Sequence, residues 1–272
     1  MKATFANDNF RGMMMHACSR LAPLAGVLAL VCVGGCATPP PANDSEAVAE
    51  FNEANDPLEP ANRVFYAIND GIDVVVLRPL ALAYRYVVPQ VMRDHAHNVL
   101  SNLGEPVAVG NDMLQGKPRR AGDSLMRFVV NSTFGVAGIF DVATGWGWPT
   151  HDTDGGITFA VWGIPPGPFL YLPVLGPSNP RDAAGFGFDF LMDPLTWIGG
   201  KPARDVGYGK LGMSALDARE RVLDELDRVK AEALDPYATI RSLARQHRQS
   251  QIDDARNDNR ATSPAWYPAT KP

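Results

Sequence analysis

Residues 61–88 read ANRVFYAINDGIDVVVLRPLALAYRYVV. Their apolar positions, Val64, Phe65, Ile68, Ile72, Val75, Val76, Leu80, Ala83, Tyr84 and Val87, recur every three or four residues. That is the period of an amphipathic helix rather than a strand. Gly71 and Pro79 interrupt it, and a proline inside a helix removes a hydrogen bond and clashes with the preceding turn. The stretch is therefore expected to kink or split. Just upstream stands Asn55-Asp56-Pro57-Leu58-Glu59-Pro60. Asp56 is expected to cap the helix, with Pro57 in its first position and Glu59 completing a capping box.

The same period continues downstream. A helix is expected from Gln90 to Leu103 and another beyond Glu105-Pro106, stopping at Gln115-Gly116-Lys117-Pro118. Arg119 to Val130 is amphipathic again. In 134–140, FGVAGIF, small residues permit close backbone packing. Near the C-terminus, Ser214 with Asp217 reads as a helix cap before an apolar stripe from Leu216 to Ala233, and Asp235-Pro236 starts a helix running to about Ile252. The fold class expected is mainly α, built from short kinked amphipathic helices.

Residues 155–180, GGITFAVWGIPPGPFLYLPVLGPSNP, carry no Asp, Glu, Lys or Arg. Six prolines forbid a single spanning helix. Ile157 to Trp162 and Phe169 to Leu172 read as two strands joined around Ile164-Pro165-Pro166-Gly167-Pro168. An open hairpin cannot face lipid tails, because its unpaired backbone groups would be unsatisfied. It belongs either at membrane depth against protein or in an ordinary soluble core, and the residues leave both open. Aromatic residues gather between Phe140 and Trp197, which suits a membrane–water boundary and a plain core alike.

The N-terminal 35 residues read as an export signal. Lys2, Arg11 and Arg20 precede an uncharged run, Leu21 to Val33, too short to span a bilayer comfortably. The run ends in Val33-Gly34-Gly35-Cys36, similar to the bacterial lipobox, so Cys36 is the expected lipidation site. Cleavage before Cys36 removes Cys18 and Cys32, leaving no cysteine pair for a disulfide. Ala37 follows where an Asp would hold a lipoprotein at the inner membrane, so the outer membrane is expected, the body facing the periplasm. Residues 36–54 read as a flexible tether, 55–252 as the folded domain and 253–272 as a disordered polar tail.

Of 25 basic and 30 acidic residues, the leader takes three and one, leaving a net charge of −7. An acidic chain is a poor partner for nucleic acid and is not drawn to anionic membranes by charge. No glycine loop for a nucleotide is present, so the chain does not itself power a directional process.

The candidates for chemistry are sparse. Ser178 sits in Gly176-Pro177-Ser178-Asn179-Pro180, which lacks the second glycine of a nucleophile elbow. His95 and His97 point to different helix faces, so a shared metal is not expected. His151, Asp152 and Asp154 read as a polar surface turn, and Arg241, Arg245 and Arg248 as a solvated helix face. No cofactor is expected. Phe65, Ile68 and Asn69, with Trp162, Phe169 and Tyr171 of the uncharged segment, are the candidates to bound a passage for an amphiphile, one wall dry and one rim wet.

Taken in order, a set of short runs resembles the MlaA (VacJ) lipoprotein family. They are Asn55 to Pro60 with Asn62-Arg63; Leu77-Arg78-Pro79; Asn102 to Pro106; Leu114-Gln115-Gly116; Arg127 to Thr133; and Gly138 to Ala143. Further on come Trp162-Gly163, Leu172-Pro173, Gly176-Pro177-Ser178, Arg181-Asp182 and Asp235-Pro236-Tyr237 with Arg241. The resemblance spans about Asn55 to Arg248. It departs at Asp154-Gly155-Gly156-Ile157-Thr158, where members carry an acidic-Phe-Gly-Gln-Thr run. The resemblance implies a ring-like body embedded in the inner leaflet of the outer membrane and associated with trimeric porins. It implies removal of phospholipids from the outer leaflet and their transfer to a soluble periplasmic carrier. A lipid-hydrolysing enzyme and a purely structural lipoprotein are the competing classes.

Overall fold

The computed structural model describes residues 55–198 and 201–260, with isolated positions 40, 41, 44, 48 and 51 before them and only the backbone at 202–204. Cys36, most of the expected tether and residues 261–272 lie outside the described residues.

Helix α1 (Glu59–Ile72) runs through a π-helical turn (Asp73–Leu77) into α2 (Arg78–Val87). The interruption expected from Gly71 and Pro79 thus takes the form of a widened turn. It lies just before Pro79, where an ordinary turn would press the proline ring on a carbonyl. The capping box is not used: α1 begins after Leu58, with no side-chain cap. Asp56 is instead buried and accepts hydrogen bonds from Asn62, Tyr237 and Arg241.

Helix α3 (Gln90–Leu114) is continuous across Pro106, where two helices were expected. Extensive packing on α4 (Pro118–Thr133) holds its halves in line, and the Glu105–Arg127 ion pair bridges the two helices beside the proline. After α4 the chain turns tightly through Gly135 and Gly138. A Cβ on Gly138 would lie 2.7 Å from the Asn102 side chain, at a φ of +90° that favours glycine. A short α5 (Val142–Gly145) follows, capped by Asp141.

Residues 155–161 form a helix, α6 (Gly155–Val161), not the first strand of a hairpin. Asp154 caps it, accepting from Ile157 N–H at 2.8 Å. The two glycines let it approach α7 (Pro180–Met192) closely: a Cβ on Gly155 would stand 2.6 Å from Gly185 O. The hairpin does exist, but it pairs β1 (Leu170–Leu172) with β2 (Gly176–Ser178), antiparallel, with Tyr171 opposite Pro177.

The remainder is helical: α8 (Pro194–Trp197), α9 (Lys201–Arg221), α10 (Leu223–Glu232) and α11 (Pro236–Arg256). Ser214 caps nothing, because it lies within α9; the break falls at Val222. Asp235 does cap α11, accepting from Ala238 N–H. That helix runs four residues beyond its expected end, since Ile252 and Ala255 are buried against Ile157 and Ala160 of α6. Among the described residues no helix is long and apolar enough to cross a membrane.

Neighbour contacts close into a circuit. α1 leads through the π turn and α2 to α9, α9 touches α3, α3 touches α6, and α6 touches α11. α11 then meets β2, and β1 returns to α1.

Candidate functional site: an apolar exterior and a clamped hairpin

Among the described residues, 13 buried side chains are hydrophobic, six of them alanine, while 18 are polar or charged. Thirty-four large hydrophobic residues are exposed. Soluble monomers rarely show extended apolar patches, so an inversion of this kind marks a surface that meets lipid or protein. The α1–α2 rod carries it most plainly. Val75 is 75% exposed and Tyr86 92%, with Val64, Ile68, Val74, Leu80 and Val87 also facing outward. Its charges pair with α9 and α10, and of them Asp73 is buried. Arg219 grips Asp73 at 2.6 Å, Lys230 bridges Asp70 and Asp73, Arg78 meets Asp227, and Arg85 meets Glu220 and Asp224.

The interior is correspondingly ionic. Arg127 pairs with Glu105 (2.7 Å) and Asp141 (3.2 Å). His151 is buried and sits 2.7 Å from Asp112, so the expected surface turn is an internal strut. The expected solvated face of α11 is likewise a set of ties: Arg241 binds Asp56, and Arg248 binds Asp154 and Asp182. Burial opposes ionisation of Asp73 and Asp182. Hydrogen bonds from Arg219 and Lys230, and from Arg248 and Arg181, outweigh it and hold both carboxyls below their ordinary range. Burial wins at Glu105, whose carboxyl is pushed up despite the Arg127 charge.

Three asparagines spaced seven apart meet the hairpin, Asn55 from the segment before α1 and Asn62 and Asn69 from α1 itself. Asn55 Nδ2 donates to Gly167 O (2.8 Å), and Phe169 N–H donates to Asn55 O (2.8 Å). Asn62 Nδ2 donates to Phe169 O (3.0 Å) while its Oδ1 accepts from Tyr171 N–H (2.8 Å). Asn69 does the same for Leu172 O and Val174 N–H, both at 2.8 Å. The fit is metric. Seven helical residues advance about 10.5 Å, close to three extended residues at about 3.3 Å each. Pro177 has no N–H, so Tyr171 opposite it turns its own N–H to the outer edge, where Asn62 receives it. The edge that an open hairpin would leave bare at membrane depth is thereby satisfied.

Of the six passage candidates, α1 and the hairpin bring five together. Phe65 packs against a buried cluster of Phe169, Tyr171 and Tyr237, with Tyr66 edge-on to Tyr171 at 5.5 Å. Phe169 and Tyr171 are therefore core residues between α1, the hairpin and α11. Ile68, 47% exposed, and Asn69 lie at the outer face. Trp162 belongs to another group: half-exposed, it packs on Phe159 and donates to Leu114 O. Sequence reading missed Asn62, Tyr237 and Asp56. The recurrence of Asn at 55, 62 and 69 was the available signal.

Ser178 gives its hydroxyl to the neighbouring Asn179 carbonyl at 3.4 Å. A second serine, Ser124, lies 3.4 Å from His151 and 3.2 Å from Asp112. Both Ser124 and Asp112 address the same ring nitrogen of His151, whereas a relay needs them on opposite nitrogens, and all three side chains are buried.

A solved structure concerned with the maintenance of bacterial outer membrane lipid asymmetry superposes with a TM-score of 0.64 at 29% identity, covering 74% of this chain and 98% of that one. The two chains thus share a fold. The family model described as MlaA lipoprotein matches residues 54–251, and the chain belongs to that family. Its relatives include the intermembrane phospholipid transport system lipoprotein MlaA of Haemophilus influenzae, 30% identical over 86% of this chain and 91% of that protein. The protein of the same name from Escherichia coli is 33% identical over 69% and 74%. An uncharacterised Rickettsia bellii protein is 34% identical over 79% and 84%.

Proposed function

We propose that this chain is a phospholipid-transport lipoprotein of the outer membrane, anchored through Cys36 and facing the periplasm. It takes phospholipids that have strayed into the outer leaflet and passes them to a soluble periplasmic carrier, working beside a trimeric porin. The observation that carries the reading is the inverted body: large apolar side chains outside, ion pairs within. Burying one such side chain in lipid is worth about 1.5–3 kcal/mol, so the exterior favours an apolar surrounding, while the interior keeps its charges paired. Amphipathic helices of this kind lie in an interface rather than across it.

The passage is bounded by the outer face of α1 and the hairpin. Val64 and Ile68 offer a dry track, and Asn69 with Asp70 a wet rim for a head group. Phe65, Phe169 and Tyr171 stiffen the wall, and Trp162 stands at the lipid boundary. The chain carries lipid without cleaving it, so phospholipid vesicles incubated with the purified protein yield no fatty acid or lysophospholipid.

Ile68→Asp tests the passage. With normal protein abundance, outer-leaflet phospholipid should rise, and unchanged lipid asymmetry would reject the assignment. Wild-type tryptophan fluorescence should be quenched by brominated phospholipid in vesicles, Trp146, Trp162 and Trp197 being exposed. Unquenched emission would remove the membrane-embedded reading itself.

A further inference from the structure

Ser124, His151 and Asp112 make no relay, but beside them lies Arg120, whose side chain is wholly buried. Two helices and a loop meet here. Asp112 and Gln115 stand at the end of α3, Arg120 and Ser124 in the first turns of α4, and His151 in the segment that leads to α6. Five polar atoms of this group are out of reach of solvent and have no hydrogen-bond partner among the described residues. They are Arg120 Nε and Nη1, Asp112 Oδ1, Gln115 Oε1 and His151 Nδ1. Native interiors leave few such atoms, so a cluster of them in one place has a physical cause.

These side chains are not free to close on one another, because each is held from its other end. Arg120 Nη2 donates to Asp152 O at 2.8 Å. Asp112 Oδ2 accepts from His151 Nε2 at 2.7 Å and from the Ser124 hydroxyl at 3.2 Å. Gln115 Nε2 donates to the Thr153 and Thr158 hydroxyls. Arg120 Nε and Asp112 Oδ1 are left 3.6 Å apart, too far for a direct hydrogen bond. A water set to one side, with legs of about 2.9 Å, reaches both. The five atoms also select their guest. Arg120 offers donors, and Asp112 and Gln115 offer acceptors. His151 Nδ1 accepts when its neutral ring gives Nε2–H to Asp112, and donates when the ring is charged. An anion would serve the arginine and be repelled by the carboxylate, and a cation would do the reverse. Water both donates and accepts.

We propose that the junction of α3, α4 and residues 151–153 is a binding site for internal water, with one molecule bridging Arg120 Nε and Asp112 Oδ1. A buried water makes about three hydrogen bonds, so about two molecules complete the five atoms. The site stands apart from the transport reading. It concerns how the loop before α6 is fastened to the α3–α4 pair. Asp154 of that loop caps α6 and binds Arg248 of α11, so the hydrated joint lies where the circuit passes from α3 to α6 and α11.

The test is a crystal structure of the full chain in detergent, at a resolution that shows ordered water, with separate crystals soaked in bromide and in manganese. Water density should lie within hydrogen-bond distance of both Arg120 Nε and Asp112 Oδ1, and neither ion should give an anomalous peak there. A direct Arg120–Asp112 hydrogen bond with no water density overturns the proposal. A bromide peak would make this an anion site and a manganese peak a cation site; either refutes it. In solution, magnetic relaxation dispersion of the water oxygen counts molecules that exchange slowly. R120M/D112L, which removes both charges together, should lose about two of them relative to wild type. An equal count in the two proteins also overturns the proposal. The wild-type density decides the matter even if the double variant does not fold.

Discussion

Asn62→Ala strips the central rung of the asparagine ladder. Asn62 is buried and makes three hydrogen bonds, to Asp56, Phe169 O and Tyr171 N–H. Asp56 keeps Tyr237 and Arg241, so the loss falls on two backbone groups. Leaving a buried donor or acceptor unsatisfied costs about 1–3 kcal/mol each, or about 2–6 kcal/mol in all. That is a large part of a total stability of about 5–15 kcal/mol. Asn69→Ala removes the outer rung, whose bonds are only partly buried, and should cost less. It should act locally, because Val174 sits at a φ of +69°, strained for a β-branched residue, and Asn69 holds its N–H there. Urea unfolding in detergent measures the first effect, and amide exchange separates the two. Asn62→Ala should speed exchange at Tyr171, and Asn69→Ala at Val174. A loss below about 1 kcal/mol in Asn62→Ala, with Tyr171 still protected, would refute the idea that asparagine side chains complete the edge of β1.

Arg127→Met should destabilise by about 3–5 kcal/mol, because it leaves Glu105 and Asp141 facing no charge; chemical denaturation of R127M against R127M/E105M checks it, the double variant recovering part of the loss. Acid should weaken the body in a defined window. Asp73, Asp141, Asp182 and Asp217 are all held below their ordinary value of 3.8, so their contribution is complete above that value and is lost as pH falls through the lowered ones. Glu105 and Asp189 are raised and act oppositely, their contribution fading as pH rises through the raised values. Asp227 and Asp235 are lowered as well; six groups outnumber two, so Tm should drop steeply below about pH 4, and a Tm unchanged between about pH 5 and pH 3 would contradict the ionic interior. Cys36→Ala should abolish acyl labelling of the mature protein; full labelling in that variant would move the anchor elsewhere.

The helices were legible where the apolar period was sustained, as in residues 61–88, and where period and cap agreed, as at Asp235. They were misread where the two parted. Ile157 to Trp162 is a short uncharged run whose period suits strand or helix, and the deciding residue was Asp154, three before Ile157. Pro106 was read as a boundary because local propensity was weighed without the α4 surface that holds both halves of α3. The larger error concerned charge. Arg241 and Arg248 read as a solvated helix face and His151 as a surface turn, yet all three pair with carboxylates in the structure. On the α1–α2 rod the apolar side faces out, whereas on α11 Tyr237, Ile252 and Ala255 face in. Nothing in single-sequence periodicity tells which side of an amphipathic helix is the inside.

The ties that close the circuit join distant parts of the chain. Asp56 waits for Tyr237 and Arg241, 181 and 185 residues later, and Asp73 for Arg219, 146 residues on. Contacts of such long range are slow to form, since loop closure precedes any gain. Until α9 and α10 exist, Asp73 is a carboxylate that must stay wet, and until α11 exists Asp56 lacks Tyr237 and Arg241, so α1 can neither shut against the hairpin nor bury its charges. Before those ties form, the chain is a set of loose amphipathic helices, apolar faces bare and prone to self-association. The last helix is the latch that ends this state.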